Sequence, residues 1–499
     1  MQVFPLQLKV CDVFEILEIY IVGEDGNMKQ SLWINGELVD TKEYSQLLSP
    51  YKQELIAEVS IAEPEDVVKA IDTAAKAALE MKKMPAYQRA DILERVVELI
   101  KENREECAQI IAKEAAKPLN AARGEVDRTI MTYKFAAQET RRLYGETIPM
   151  DAAPGGEGRV AYTVKEPLGV IAAITPFNFP MNLVAHKVGP AIAAGNTVVL
   201  KPATQTPLSS YKIAQFFHEA GLPKGALNVV TGSGRAVGDI LLADDRVKMV
   251  TFTGSPEVGK SIREKAGLKR VTLELGSNSA VIVDENTNLE EIVPRIVTGA
   301  FAFQGQVCIS VQRVYVHDSI FDQFVDQFVA EAKKLKVGDP LDENTDISAM
   351  ISQGDQERAL SWVDSATNRG AELALGGIAE NGILHPTVLL NVHPEESISC
   401  EEAFAPVVHI NRVSSLDEAI EHVNHSKYGL QAGVFTANVQ KAFKAASELH
   451  VGGVMINDFP TFRVDHMPYG GVKLSGMGRE GIKYAVEEMT ELKLVSFKI

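Results

Sequence analysis

The sequence lacks any pair of cysteines at a spacing that would build a disulfide framework or a zinc site. Its four, Cys11, Cys107, Cys308 and Cys400, are scattered, with no C-x-x-C and no Cys/His cluster. That is a cytosolic pattern, so the expected location is cytoplasmic and no metal is expected. Also missing is an apolar run of the roughly 20 residues that a membrane-spanning helix needs. The apolar stretch from Val10 to Ile19 is interrupted by Asp12, Glu15 and Glu18, and it has neither the basic start nor the cleavage site of a secretory signal. Because Met28 begins a more ordinary run, Lys29 to Glu37, residues 1–27 read as an extension outside the folded domain. Positive charge is in deficit: 50 Lys and Arg against 67 Asp and Glu, a net −17. This disfavours nucleic acid and anionic membrane as partners, while allowing a local basic pocket for an anion. There is no fixed-period repeat and no low-complexity tract.

What is present is a soluble globular composition, 45% hydrophobic and 23% charged, over 499 residues, enough for two or three domains. From Glu63 to about Tyr144, Val67, Ile71, Ala74 and Ala78, then Ile92, Val96, Val97 and Ile100, recur at helical spacing. From Tyr144 to Glu166, glycines and prolines flank short alternating pieces, which predicts a hairpin-like excursion. Short apolar runs then alternate with helical segments: 169–174, 197–200, 227–230 and 249–252. A second set lies at 313–316, 387–390, 407–410, 433–435 and 453–456. Both sets predict buried parallel strands in a doubly wound α/β architecture, two such units in tandem with a cleft between them. Ligands in such sheets sit beyond the carboxyl ends of the strands, so chemistry is sought there.

One cysteine stands in a distinctive setting. Cys308, in Phe303-Gln304-Gly305-Gln306-Val307-Cys308-Ile309-Ser310, comes after a helix-like run from Leu289 to Ala302. A free thiol has a pKa of about 8.5, so a nucleophilic cysteine needs an activating neighbour. The strand ends offer Thr175-Pro176-Phe177-Asn178-Phe179-Pro180, Lys201-Pro202-Ala203-Thr204, Phe252-Thr253-Gly254-Ser255 and Leu273-Glu274-Leu275-Gly276. With Glu401-Glu402-Ala403-Phe404-Ala405-Pro406-Val407 and Pro468-Tyr469-Gly470-Gly471-Val472-Lys473-Leu474-Ser475-Gly476, these motifs, in this order from about Leu32 to Phe497, resemble the aldehyde dehydrogenase superfamily. Any one motif is weak; the ordered set is specific.

The resemblance implies a Rossmann-type cofactor domain over 28–143 and 165–275 and an α/β catalytic domain over 276–480. It also implies a β-hairpin oligomerisation element over 144–164 and 481–499, joining subunits in a homodimer or homotetramer. It makes Cys308 the nucleophile toward an aldehyde, with Asn178 as oxyanion donor and Glu274 as the base that hydrolyses the thioester. Taken singly, Asn178 reads as a turn residue, Glu274 as a strand terminus and Cys308 as a small buried hydrophobe; together they form a complete constellation.

The implied cofactor is NAD or NADP. The candidate residues around it are Thr175, Pro176, Phe177, Lys201, Ala203, Thr204, Gly234, Gly238, Phe252, Thr253, Gly254, Ser255, Val258, Leu275, Gly276, Glu402 and Phe404. The glycine pattern from Gly232 to Gly238 opens a helix after a strand but has one residue too many for G-x-G-x-x-G. The resemblance places the pyrophosphate near the helix that follows Phe252-Thr253-Gly254-Ser255, where Ser255 and free backbone amides would hold it. Thr204 stands where NAD-preferring relatives often carry glutamate; threonine removes the repulsion of a 2′-phosphate, so either NADP or NAD is expected. Ser277-Asn278 departs from the usual second glycine after Leu-Gly.

For the substrate, Arg128 and Arg463 resemble positions where branches handling anionic or hydroxylated small aldehydes carry arginine, and an arginine fork suits such an anion. The alternative is two solvated surface arginines. Val307 and Ile309 flank the nucleophile, and Val307 stands where the non-phosphorylating glyceraldehyde-3-phosphate group tends to have arginine. The expected activity is oxidation of a lactaldehyde- or sulfolactaldehyde-type substrate to the free acid, with succinate semialdehyde or glyceraldehyde-3-phosphate as alternatives. Glu274 argues against a CoA-acylating enzyme. A cysteine hydrolase lacks its histidine motif, and a non-catalytic relative would lack one of Cys308, Asn178 and Glu274.

Overall fold

The computed structural model describes residues 21–22 and 28–499, so the expectation for residues 1–27 falls, apart from those two, outside the described residues. Ile21–Val22 pair antiparallel with Met28 and Lys29 at the edge of a small sheet. Helices occupy Pro64–Lys83, Ala86–Glu102, Arg104–Ala115 and Leu119–Thr140, as the periodicity predicts. The first shows why. Glu63 and Asp66 form a reciprocal capping box, Pro64 starts the helix, and Lys82 and Lys83 meet its negative end. Its buried residues Val67, Ala70, Ile71, Ala74, Ala77 and Met81 recur every three or four positions along one face.

The first large sheet runs, in spatial order, Gly476–Met477, Arg270–Glu274, Val247–Thr253, Val170–Ile174, Thr197–Lys201, Leu227–Val229, Leu32–Ile34 and Glu37–Val39. Its five central strands are parallel. All five residues of Thr197–Lys201 are buried, which is why this strand reads as a run rather than as an alternation. The chain steps outward from Val170–Ile174 through two strands, then returns to its other side at Val247–Thr253. The crevice beyond these two neighbours is therefore the switch point where a dinucleotide is expected.

The second large sheet runs Glu372–Leu375, Thr387–Leu390, Val407–Val413, Arg313–His317, Ala280–Val283, Gln431–Phe435 and Gly453–Ile456. It is parallel except at Glu372–Leu375. Its organising strand, Ala280–Val283, spans four residues and is absent from the expected strands, being too short to stand out beside Ser277–Ser279.

The expected hairpin is formed by Thr147–Ile148 and Arg159–Pro167, and the latter pairs along its length with Thr490–Lys498 of the same chain. Just before that last strand, Ile482, Val486 and Met489 enter the hydrophobic core that also contains Trp33, Val184 and Leu200. Among the described residues, no helix is long and apolar enough to cross a membrane.

Candidate active site

Three local structures converge on one cavity of about 1190 Å³, which lies between the ends of the two large sheets. Asn178 belongs to the turn after Val170–Ile174, Glu274 ends its strand, and Cys308 lies in a turn after the helix Leu289–Phe301. All three line the cavity. The turn before Cys308 is tightly specified. Phe303 and Gln304 take positive φ of 48° and 55°, a region costly for such residues. Gln304 is anchored by bonds from its side-chain amide to the carbonyls of Ala116 (3.0 Å) and Ala349 (2.8 Å). Gly305, also at positive φ, lies where any Cβ would collide with the Ala405 carbonyl.

The electrostatics differ at each corner. Burial pushes the Cys308 thiol up to about 11, against the opposing pull of a 2.9 Å hydrogen bond with the Tyr469 hydroxyl and the nearby charge of Arg463. Glu274 is buried with both carboxylate oxygens unpartnered, and burial together with the charge of Glu480 raises its pKa well above the usual carboxylate range. The Asn178 side-chain amide donates to the Gln306 carbonyl at 3.1 Å, and its second N–H remains available. Behind Asn178 sits Lys117, fully buried, donating to the Asn178 carbonyl at 2.6 Å and paired with Glu125. Its ammonium lies 3.9 Å and 4.3 Å from the ring centroids of Phe179 and Phe303. Glu125 in turn accepts from the backbone amides of Met181 (2.9 Å) and Asn182 (3.2 Å).

Every cofactor candidate except Thr204 lines the same cavity; Thr204 is exposed, between Ala203 and Gln205, which do line it. A Cβ at Gly234 or Gly238 would meet nothing within 4 Å, so that wall is open, and a Cβ at Gly276 would lie 2.5 Å from a Glu402 carboxylate oxygen. Glu402 accepts from the Ser277 amide at 2.9 Å, and burial pushes it up to about 7. Phe404 meets Phe177 edge-on at 5.7 Å. Burial brings Lys201 down to about 8. The Ser255 hydroxyl caps the helix Pro256–Lys265. The open glycine wall, the buried acid and lysine and the helix N-terminus fit a dinucleotide.

The four substrate candidates are placed differently: none lines the large cavity. Arg128 donates to both oxygens of Asp465, at 2.7 Å and 3.3 Å. The Arg463 side chain is 6% exposed, donates to Glu480 at 2.9 Å and lies 3.7 Å from the Tyr469 ring centroid. Neither is a solvated surface arginine; each has an internal carboxylate partner. Asp465 also contacts the buried His186 at 2.9 Å. Val307 and Ile309 are buried in an apolar cluster with Phe303 and Tyr469, packed against Cys308.

Lining residues that the sequence left unmarked include Arg235, Asp355, Arg358, Trp362 and Tyr428. Arg235 lies inside the glycine pattern, which was a usable signal. Asp355, Arg358 and Trp362 lie on a helix, Gln353–Asn368, that carries no motif. Lys117 offers no local signal, because its partners Glu125, Asn178 and Phe303 come together only in the folded chain.

The aldehyde dehydrogenase family model matches residues 37–495. A 3-sulfolactaldehyde dehydrogenase of Priestia aryabhattai is 49% identical over 464 residues, covering 93% of this chain and 97% of the relative. A lactaldehyde dehydrogenase of Methanococcus aeolicus is 41% identical over 468 residues, covering 93% and 99%. Among solved structures, the glyceraldehyde-3-phosphate dehydrogenase GapN of Methanocaldococcus jannaschii complexed with NADP is 41% identical, with a TM-score of 0.89 over 92% of this chain and all of that one. The chain is therefore a member of the aldehyde dehydrogenase family, an oxidoreductase that uses NAD or NADP.

Proposed function

We propose that this enzyme oxidises a small hydroxylated or anionic aldehyde, of the lactaldehyde or sulfolactaldehyde type, to the free carboxylic acid through a thiohemiacetal and then a thioester on Cys308. The observation that carries the reading is the buried, unpartnered carboxyl of Glu274 lining the same cavity as Cys308 and Asn178. The thiolate of Cys308, its proton already lost, attacks the aldehyde carbon as the C=O π bond opens, and the oxyanion that forms is met by the free N–H of the Asn178 amide and the backbone N–H of Cys308. One such donor is worth about 3 to 4 kcal/mol in the transition state. Lys201, Ser255, Glu402 and Phe404 hold the dinucleotide, which when bound supplies the hydride acceptor. The thioester left on Cys308 is hydrolysed by water from which Glu274 takes a proton. Its raised pKa makes Glu274 a stronger base than a solvated carboxylate.

NADP is favoured over NAD by the uncharged Thr204 at the cavity edge and by Arg235 in the cavity wall. The substrate class is supported by the sulfolactaldehyde and lactaldehyde relatives. Valine at 307 leaves glyceraldehyde-3-phosphate, like succinate semialdehyde, as the alternative. Cysteine hydrolase and non-catalytic readings have no use for the dinucleotide wall.

The sheets support a cofactor domain over 28–143 and 165–275, joined by Gly476–Met477, and a catalytic domain over 276–480. Exposed Val160, Tyr162, Leu492, Leu494 and Phe497 on the three-stranded sheet suit a homodimer or homotetramer of a cytoplasmic enzyme. The deciding experiment measures NADH and NADPH formation over lactaldehyde, sulfolactaldehyde, succinate semialdehyde and glyceraldehyde-3-phosphate. Strong preference for one of the first two is expected. Equal, feeble rates on all four would defeat the substrate reading.

A further inference from the structure

The Cys308 sulfur lies 2.9 Å from the hydroxyl of Tyr469, a residue to which the sequence assigns no role. Three restraints fix that hydroxyl. The backbone of Tyr469 pairs with Glu480 in both directions, at 3.0 Å and 2.7 Å. The Arg463 guanidinium covers the ring at 3.7 Å and is itself tied to Glu480. The ring is 3% exposed, within an apolar cluster of Phe303, Val307, Ile309 and Leu430. A phenol buried among such residues costs stability unless its oxygen finds a partner, and here the partner is the Cys308 sulfur. A phenylalanine would fill the same space without that requirement, so the hydroxyl is explained by the sulfur rather than by packing.

We propose that Tyr469 is a catalytic residue that tunes the nucleophile: its hydroxyl donates to the Cys308 sulfur, stabilises the thiolate and aims it, and the Arg463 charge against the ring strengthens the donor. The proposal rests on Cys308 being the nucleophile. A thiolate can only accept, so the direction of the bond is set once the sulfur is charged. When the sulfur bonds to the aldehyde carbon it loses that charge and the bond weakens; no proton leaves the phenol at any step.

The surrounding charges are compatible with this. Facing the sulfur are Tyr469 and Arg463, which favour the thiolate, and Glu402 and Glu274, which oppose it. Burial, and then the charge of the Cys308 thiolate itself, hold the Tyr469 phenol well above its ordinary value, so ionising the sulfur favours a phenol that keeps its proton. Lys187 and His186 lie behind, on Glu480 and Arg463 respectively.

The test compares the wild type with Tyr469→Phe, which removes one oxygen and keeps the ring beneath Arg463. The rate of alkylation by iodoacetamide is measured against pH, with the modified residue located by peptide mass spectrometry. We expect the midpoint for Cys308 to rise by about one pH unit in the variant, a tenfold loss of thiolate below both midpoints. kcat/KM for the aldehyde should fall by about tenfold at neutral pH and recover as the pH is raised, with the KM for the dinucleotide unchanged. A folded variant with an unchanged alkylation midpoint overturns the proposal. If wild-type activity survives full alkylation of Cys308, the nucleophile reading fails instead, and the two failures are distinguishable.

Discussion

Lys117 and Asn178 are joined by a 2.6 Å hydrogen bond from a fully buried ammonium to a backbone carbonyl, so the amide that faces the Cys308 turn is held from behind by a charge. The ammonium also contacts Phe303 in that turn, so one side chain supports both halves of the proposed oxyanion site.

Lys117→Met should destabilise the enzyme by about 3–5 kcal/mol, because it leaves Glu125 buried without its counter-charge. The double variant Lys117→Met with Glu125→Leu should regain much of the thermal stability but little of the activity. Thermal melts beside kcat separate the two effects; full activity in the double variant would remove Lys117 from any positioning role.

Glu274→Ala should release about one equivalent of NAD(P)H per active site and then stall at the thioester, as read in a rapid-mix burst with acyl-Cys308 detected by mass spectrometry. In the wild type, the hydrolytic step should accelerate with pH up to a point above the usual carboxylate range, since Glu274 must be ionised to accept a proton and burial raises its pKa. Unchanged steady-state turnover in the variant would exclude the role.

Arg128→Ala should raise KM for an anionic aldehyde by about 10- to 100-fold, the worth of a hydrogen bond to a charged group. KM for propanal should barely move. Equal effects on both substrates would show that Arg128 serves only its pair with Asp465.

Arg235→Ala should raise KM for NADP by about tenfold and leave that for NAD nearly unchanged, as expected for loss of a 2′-phosphate contact. Initial rates with each dinucleotide decide this, and parallel changes would place Arg235 elsewhere on the cofactor.

Glu402 predicts a pH-dependent stability in the free enzyme. Its folded pKa, about 7, lies above the ordinary value of about 4.3 for glutamate, so the folded state holds a proton that the unfolded state has released. The stabilisation is full below about 4.3 and is lost as the pH rises through about 7. Melting temperature across this window should fall in the wild type and fall less steeply in Glu402→Gln, where Glu274, also raised by burial, remains.

The legible parts of the sequence are those whose signal is local. The Thr197–Lys201 run announces a strand buried on both faces, and the residues just beyond its carboxyl end belong to the ligand side of a parallel sheet. Asn178, Glu274 and most of the dinucleotide candidates are found in this way. Partnership is not legible. Arg128 and Arg463 carry the same charge whether they face solvent or a carboxylate, and Asp465 and Glu480, which hold them, lie 337 and 17 residues away in the chain. Tyr469 stands within a recognisable motif, yet nothing local shows that its hydroxyl reaches a sulfur 161 residues distant.

The short helix Ile482–Glu488 belongs to the core that Trp33 helps to begin. During synthesis the faces of the helices Asn182–Ala194 and Leu119–Thr140 that this short helix covers therefore stay bare until residues near 489 have cleared the ribosome. Cleavage ahead of Ile482 should accordingly leave those faces uncovered and give an aggregating remnant rather than a smaller working enzyme.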